Sequence, residues 1–123
     1  MLLFVNGTLM RGLELHPNLR GAPLVRETRT APRYRVFSIG DVHPGMYEDA
    51  SAGVAVAGEL YELDQDTLDH VVANEPDGLY VGEVTLEDGS VVPGVLCTPD
   101  LAAGQREISS YGGWRAYLAG TGA

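Results

Sequence analysis

The chain has 123 residues, 45% of them hydrophobic and 20% charged, with a net charge of −9 at pH 7, a balance that suits one domain with its own apolar core and excludes a disordered chain. All eight basic residues are arginine, which argues against a phosphate-tracking nucleic-acid binder and excludes a Schiff-base lysine enzyme. The single cysteine, Cys97, excludes an internal disulfide and a multi-cysteine zinc site and points to a reduced, cytoplasmic setting.

The start, MLLFV, is an apolar run closed by Asn6-Gly7 and reads as a buried strand rather than a signal peptide, since no basic n-region precedes it. No apolar run approaches the roughly 20 residues of a membrane span. Residues 7–12 read as a loop entering a helical turn, and Pro17 limits any helix around Leu13, Leu15 and Leu19. Residues 22–29 carry no clear pattern. Residues 34–39 alternate as a strand, and 40–53 read as a loop with one short strand at 45–48.

Residues 54–63 give the clearest strand. Asp64 then reads as an N-cap for a short helix over 66–74, with Leu68, Val71 and Val72 at helical spacing. Pro76-Asp77-Gly78 stops that helix. Strands at 80–86 and 91–97 flank Glu87-Asp88-Gly89-Ser90, an Asp-Gly hairpin signal. Residues 99–104 read as loop, and 108–118 as a weak helix or turn broken by Gly112-Gly113. The sum is an α+β fold, a small mostly antiparallel (mixed) β-barrel with two or three short helices, as a single domain over 1–119. Residues 120–123 are expected to fray.

Three stretches could carry chemistry. Asn6-Gly7-Thr8-Leu9 follows a strand and is either an ordinary tight turn or a nest of backbone N–H groups for a carboxylate or carbonyl oxygen. Glu75, at a helix end before Pro-Asp-Gly, is either a solvated loop residue or a carboxyl held in an apolar cleft, where burial raises its pKa into proton-shuttle range. Tyr111, Trp114 and Tyr117, at steps of three, either seal the core or bring Tyr111 or Arg115 to a pocket. His16, His43 and His70 have no metal-ligand spacing and read as surface or loop residues. Cys97 sits in a strand as a small core residue, and Ser109 and Ser110 lack a nucleophile-elbow context. No metal or cofactor site is expected, and the partner expected is a small-molecule substrate.

The stretch Leu3-Phe4-Val5-Asn6-Gly7-Thr8-Leu9-Met10-Arg11-Gly12 resembles the (L/V)FVYGTLxxG start of the gamma-glutamylcyclotransferase-like superfamily. Gly58-Glu59-Leu60-Tyr61, then Leu68-Asp69, then Glu75 and Tyr80, resembles that family's later motifs in order and spacing. Residues 30–37 and 111–118 also look like the carboxy-terminal domain of allophanate hydrolases, a relative of the same fold. The histidine of that domain's L-N-H-Q-L stretch is not matched, since the chain reads Leu15-His16-Pro17-Asn18-Leu19.

The cyclotransferase resemblance implies a gamma-glutamylcyclotransferase-like fold and reaction. Glu75 would be the general acid/base, and Asn6, Gly7, Thr8, Leu9 and Tyr80 would bind substrate, joined by Tyr111 from the pocket reading of its own aromatic stretch. The α-amine of a gamma-glutamyl compound would attack its own γ-carbonyl and form 5-oxoproline, with ring closure supplying the proximity. Asn6 stands where the family has tyrosine, which changes one wall of the site. The hydrolase resemblance implies an accessory enzyme acting on a urea- or carbamoyl-type compound, and the shared fold alone allows a non-catalytic binding module.

Overall fold

In chain order the strands are β1 (Leu2–Val5), β2 (Leu24–Arg29), β3 (Tyr34–Ile39), β4 (His43–Glu48), β5 (Ala57–Glu62), β6 (Leu79–Thr85), β7 (Val91–Cys97) and β8 (Arg106–Glu107). The helices are α1 (Gln65–Ala73), α2 (Pro99–Ala102) and α3 (Trp114–Gly120), with 3-10 turns at His16–Leu19 and Ser109–Tyr111. These come from a computed structural model that describes residues 1–120.

The unbroken apolar run of β1 is explained by its place. It lies mid-sheet in the order β2-β5-β1-β7-β6, and Leu3, Phe4 and Val5 are buried; a strand covered on both faces has no need to alternate. β1 pairs antiparallel with β5 (Leu3 opposite Tyr61) and parallel with β7 (Phe4 opposite Gly94). The hairpin of β6 and β7 runs in unbroken register from Leu79–Cys97 to Thr85–Val91. Its turn is tied by Asp88 Oδ1, which accepts from the Ser90 amide at 2.9 Å and the Ser90 hydroxyl at 2.6 Å.

A second sheet, β4-β3-β8, packs beside the first. β4 starts at His43, two residues earlier than the pattern suggested, because all six of its residues pair with β3. Residues 22–29 had no readable pattern because β2 is an edge strand whose residues are mostly exposed. Residues 99–104, expected as loop, contain the short helix α2, started by Thr98, whose side chain accepts from the Leu101 amide.

The expected barrel is only partly closed. The edge strands β2 and β6 meet at one end through a single bridge, Thr30 opposite Leu86. The Ala31 amide donates to the Thr85 carbonyl at 2.9 Å, and the Glu87 amide donates to the Arg29 carbonyl at 3.0 Å. Elsewhere the sheets stay open. β2 carries a register irregularity between Leu24 and Arg26, and irregularities of this kind twist an edge strand away from further pairing.

One core of Leu3, Phe4, Val36, Leu60, Val84, Ile108, Trp114 and Tyr117 lies between the layers. Cys97 is fully buried beside Phe37 and Ala102, close to Gly45 of β4. Burial pushes its thiol up to about 11. Gly120 ends α3; the other residues of the expected frayed tail lie outside the described residues. Among the described residues, no helix is long and apolar enough to cross a membrane.

Candidate active site

The loop after β1 is shaped by its own carbonyls. Gly7 O accepts from the Met10 amide at 2.9 Å, and Thr8 O accepts from the Leu15 amide at 2.9 Å. Leu9 O lies 2.9 Å from His16 Nδ1. With these three carbonyls turned into the loop, the amides of Gly7, Thr8 and Leu9 donate to no protein group among the described residues. Gly7 has to be glycine for a packing reason. A Cβ there would fall 2.7 Å from Pro44 Cγ and 2.8 Å from Pro44 Cδ, so the β4 proline rests directly on the loop.

Glu75 reaches the same place from the far side. Asp64 caps α1 through the Thr67 amide at 2.8 Å, the helix ends at Ala73, and Asn74-Glu75-Pro76-Asp77-Gly78 leads into β6. Glu75 and the loop line one cleft of about 270 Å³, counting its solvent-open part, together with Val5, His43, Pro44, Leu79 and Val95. The Glu75 carboxyl is largely buried, and Oε1 is buried without a hydrogen-bond partner among the described residues. Loss of hydration disfavours the charged form and raises its pKa from 4.5 to about 7. A carboxyl near 7 can both take and return a proton at neutral pH.

Of the residues singled out from the sequence, Asn6, Gly7, Thr8, Leu9 and Glu75 line this cleft. The Asn6 side chain is buried, with Nδ2 donating to Met46 Sδ at 3.1 Å. Tyr80 and Tyr111 lie elsewhere. Leu79 lines the cleft, so Tyr80, the next residue on a strand, points to the opposite face, where it is 46% exposed. Tyr111 packs edge-on against Tyr117 at 5.2 Å and, with Arg115, lines a separate groove of about 930 Å³, counting its solvent-open part.

Two residues were missed. His43 is no surface histidine: it is buried at the cleft, and only the pairing of β4 with β3 and the packing of Pro44 put it there. Glu59, in the alternating run of β5, is 2% exposed. Its oxygens accept from the Tyr61 hydroxyl at 2.7 Å, the Arg11 amide at 2.9 Å, Arg11 Nε at 3.3 Å and Arg115 at 3.3 Å. Burial pushes its pKa up, but these donors outweigh it and hold the carboxylate below its usual range. Arg11 also pairs with Glu27, and Arg115 donates to the Arg11 carbonyl. Glu59 thereby ties the end of the Asn6–Leu9 loop to β5 and α3. An apolar strand run interrupted by Glu was the only sequence signal for it.

The family described as the allophanate hydrolase C-terminal domain matches residues 1–119. The chain belongs to this family. Among solved structures, c4763 of uropathogenic E. coli is similar at 48% identity and a TM-score of 0.93, covering 96% of this chain and 94% of that one. The urea amidolyase of Saccharomyces cerevisiae is 31% identical over 94% of this chain, which spans 7% of that enzyme's length. A Vibrio cholerae protein named "Putative gamma-glutamylcyclotransferase" is 36% identical over 54% of this chain and 55% of its own. Both resemblances drawn from the motifs are therefore present, and this member of the allophanate hydrolase C-terminal family has a gamma-glutamylcyclotransferase-like α+β fold.

Proposed function

We propose that the chain is a gamma-glutamylcyclotransferase-like enzyme that releases an amine or peptide from a gamma-glutamyl compound as 5-oxoproline. The observation that carries this reading is the Glu75 carboxyl, whose buried Oε1 has no hydrogen-bond partner among the described residues, on the same cleft as the Gly7, Thr8 and Leu9 amides that donate to no group among those residues. Glu75 as carboxylate takes a proton from the substrate's α-ammonium. The freed amine attacks the γ-carbonyl carbon, forming the new C–N bond, and the developing oxyanion sits on the loop amides. The original C–N bond then breaks as Glu75 returns its proton to the departing amine, and the extra proton left on the ring nitrogen passes through the Glu75 carboxylate to that amine, which leaves as an ammonium ion. The compartment in this reading is the cytoplasm.

The test is 5-oxoproline release from a panel of gamma-glutamyl amines and peptides. The Glu75→Gln variant keeps the shape and loses the proton carrier, so turnover should fall by roughly 10²–10⁴-fold. Undiminished turnover in that variant, or none in the unaltered protein, overturns the reading.

Family membership over residues 1–119 favours a second reading, an allophanate-hydrolase-related accessory enzyme acting on urea- or carbamoyl-type compounds. Its mark is CO₂ or ammonia release from allophanate or an N-carboxylated amide. If neither assay gives product, the site is a binding module.

A further inference from the structure

The loop wall of the cleft is built from successive peptide planes. Main-chain bonds hold the first two: Gly7 O accepts from the Met10 amide and Thr8 O accepts from the Leu15 amide, each at 2.9 Å. The plane between Leu9 and Met10 carries the Leu9 carbonyl at one end and, at the other, the Met10 N–H that holds Gly7 O. A peptide unit turns as one plane, so whatever fixes the Leu9 carbonyl also aims the Met10 N–H. Gly7 C=O and Thr8 N–H share a plane in the same way, so the aim of the Thr8 amide follows from that bond.

The group that fixes the Leu9 carbonyl is His16, with Nδ1 2.9 Å from it. A carbonyl only accepts, so Nδ1–H donates, and it does so whether or not Nε2 also carries a proton. Among the described residues no other side chain donates to the Gly7, Thr8 or Leu9 carbonyls. The half-buried His16 opens a 3-10 turn that the buried Leu19 anchors in the core, and its ring lies 5.7 Å from that of Tyr61 on β5. Tyr61 donates to Glu59, which accepts from the Arg11 amide, so both Leu9 and Arg11 are steadied from one strand. His16 itself does not line the cleft. We infer that His16 is a positioning residue: through the Leu9 carbonyl it aims the Thr8 amide at the developing oxyanion without touching substrate. This inference rests on the cyclotransferase reading above.

The experiment compares kcat and KM for 5-oxoproline release in the unaltered protein, His16→Phe and His16→Asn. Phenylalanine keeps a ring against Tyr61 and loses the donor; asparagine loses the ring and keeps a donor near the Nδ1 position. Removing an oxyanion donor costs about 10²–10³-fold in kcat, and misaiming one costs part of that. His16→Phe should therefore lower kcat by roughly 10- to 100-fold with KM changed by less than about threefold, and His16→Asn should keep kcat within about fivefold of the parent. Parental kcat in His16→Phe, or an equal loss in both variants, overturns the inference. If the unaltered protein releases no 5-oxoproline, the cyclotransferase reading fails separately. The hold of His16 on the loop is then read from hydrogen exchange of the Met10 amide, measured against the β6–β7 hairpin amides that report global opening. Exchange about fivefold faster in His16→Phe, the worth of one hydrogen bond, and near-parental in His16→Asn supports it. Parental exchange in His16→Phe overturns it.

Discussion

Glu75 links stability to pH through a single side chain. Its carboxyl has an ordinary value of 4.5 and is raised to about 7 in the folded protein. Between these values the folded state holds a proton that the unfolded chain has released, so ionisation opposes folding. The contribution from Glu75 is full below 4.5 and is lost as pH rises through 7. Glu75→Gln removes this dependence, so at pH 8 the variant should be more stable than the parent by roughly 1–3 kcal/mol, and at pH 4 nearly equal to it. Urea titrations at the two pH values measure the difference; equal gaps at both would show that the carboxyl is solvated. The position of Glu75 before Pro76-Asp77-Gly78 leaves a solvated and a buried reading open, and the cyclotransferase resemblance singles it out; the structure puts it at the cleft with Oε1 buried. His43 was not legible. Its burial is decided by strand pairing across β3 and by a proline pressed on a distant glycine, contacts no local pattern records.

At the scale of elements, the site depends on how the loop after β1 is clamped between β4 and β5. Pro44 holds one side at Gly7, and Glu59 holds the other through Arg11. Gly7→Ala puts a methyl group inside the van der Waals radius of the proline ring. The loop or β4 has to shift, at a cost of about 1–3 kcal/mol. Stability should fall by that amount, and in the proposed reaction 5-oxoproline release should fall further than stability explains, because misplaced amides would lose contact with the oxyanion. A variant with parental turnover would mean that the loop amides take no part. The elements were readable wherever turn chemistry or alternation was strong, as in the Asp88-Gly89 hairpin and the Asp64 cap. Tyr80 came from the resemblance and Tyr111 from its aromatic stretch; strand alternation puts Tyr80 outside the cleft, and Tyr111, packed on Tyr117, lines the separate groove instead.

Taken whole, the molecule is two sheets around a shared core, with the edge strands joined at one end by the Thr30–Leu86 bridge. The class of fold was legible, since consecutive antiparallel strands with few helices leave few arrangements. The degree of closure was not, because it is set by an exposed edge strand whose side chains carry no core pattern. Cys97 sits where the sheets face each other, fully buried, near Gly45 of the second sheet. Its thiol, pushed up to about 11, forms little thiolate at pH 8 and is out of reach of an alkylating reagent. The chain therefore has a native clock for sheet separation. Iodoacetamide should label Cys97 only as fast as the layers come apart, and urea should speed labelling in step with unfolding. Labelling of the native protein at the rate of the fully unfolded chain would mean that the seam between the layers is already open.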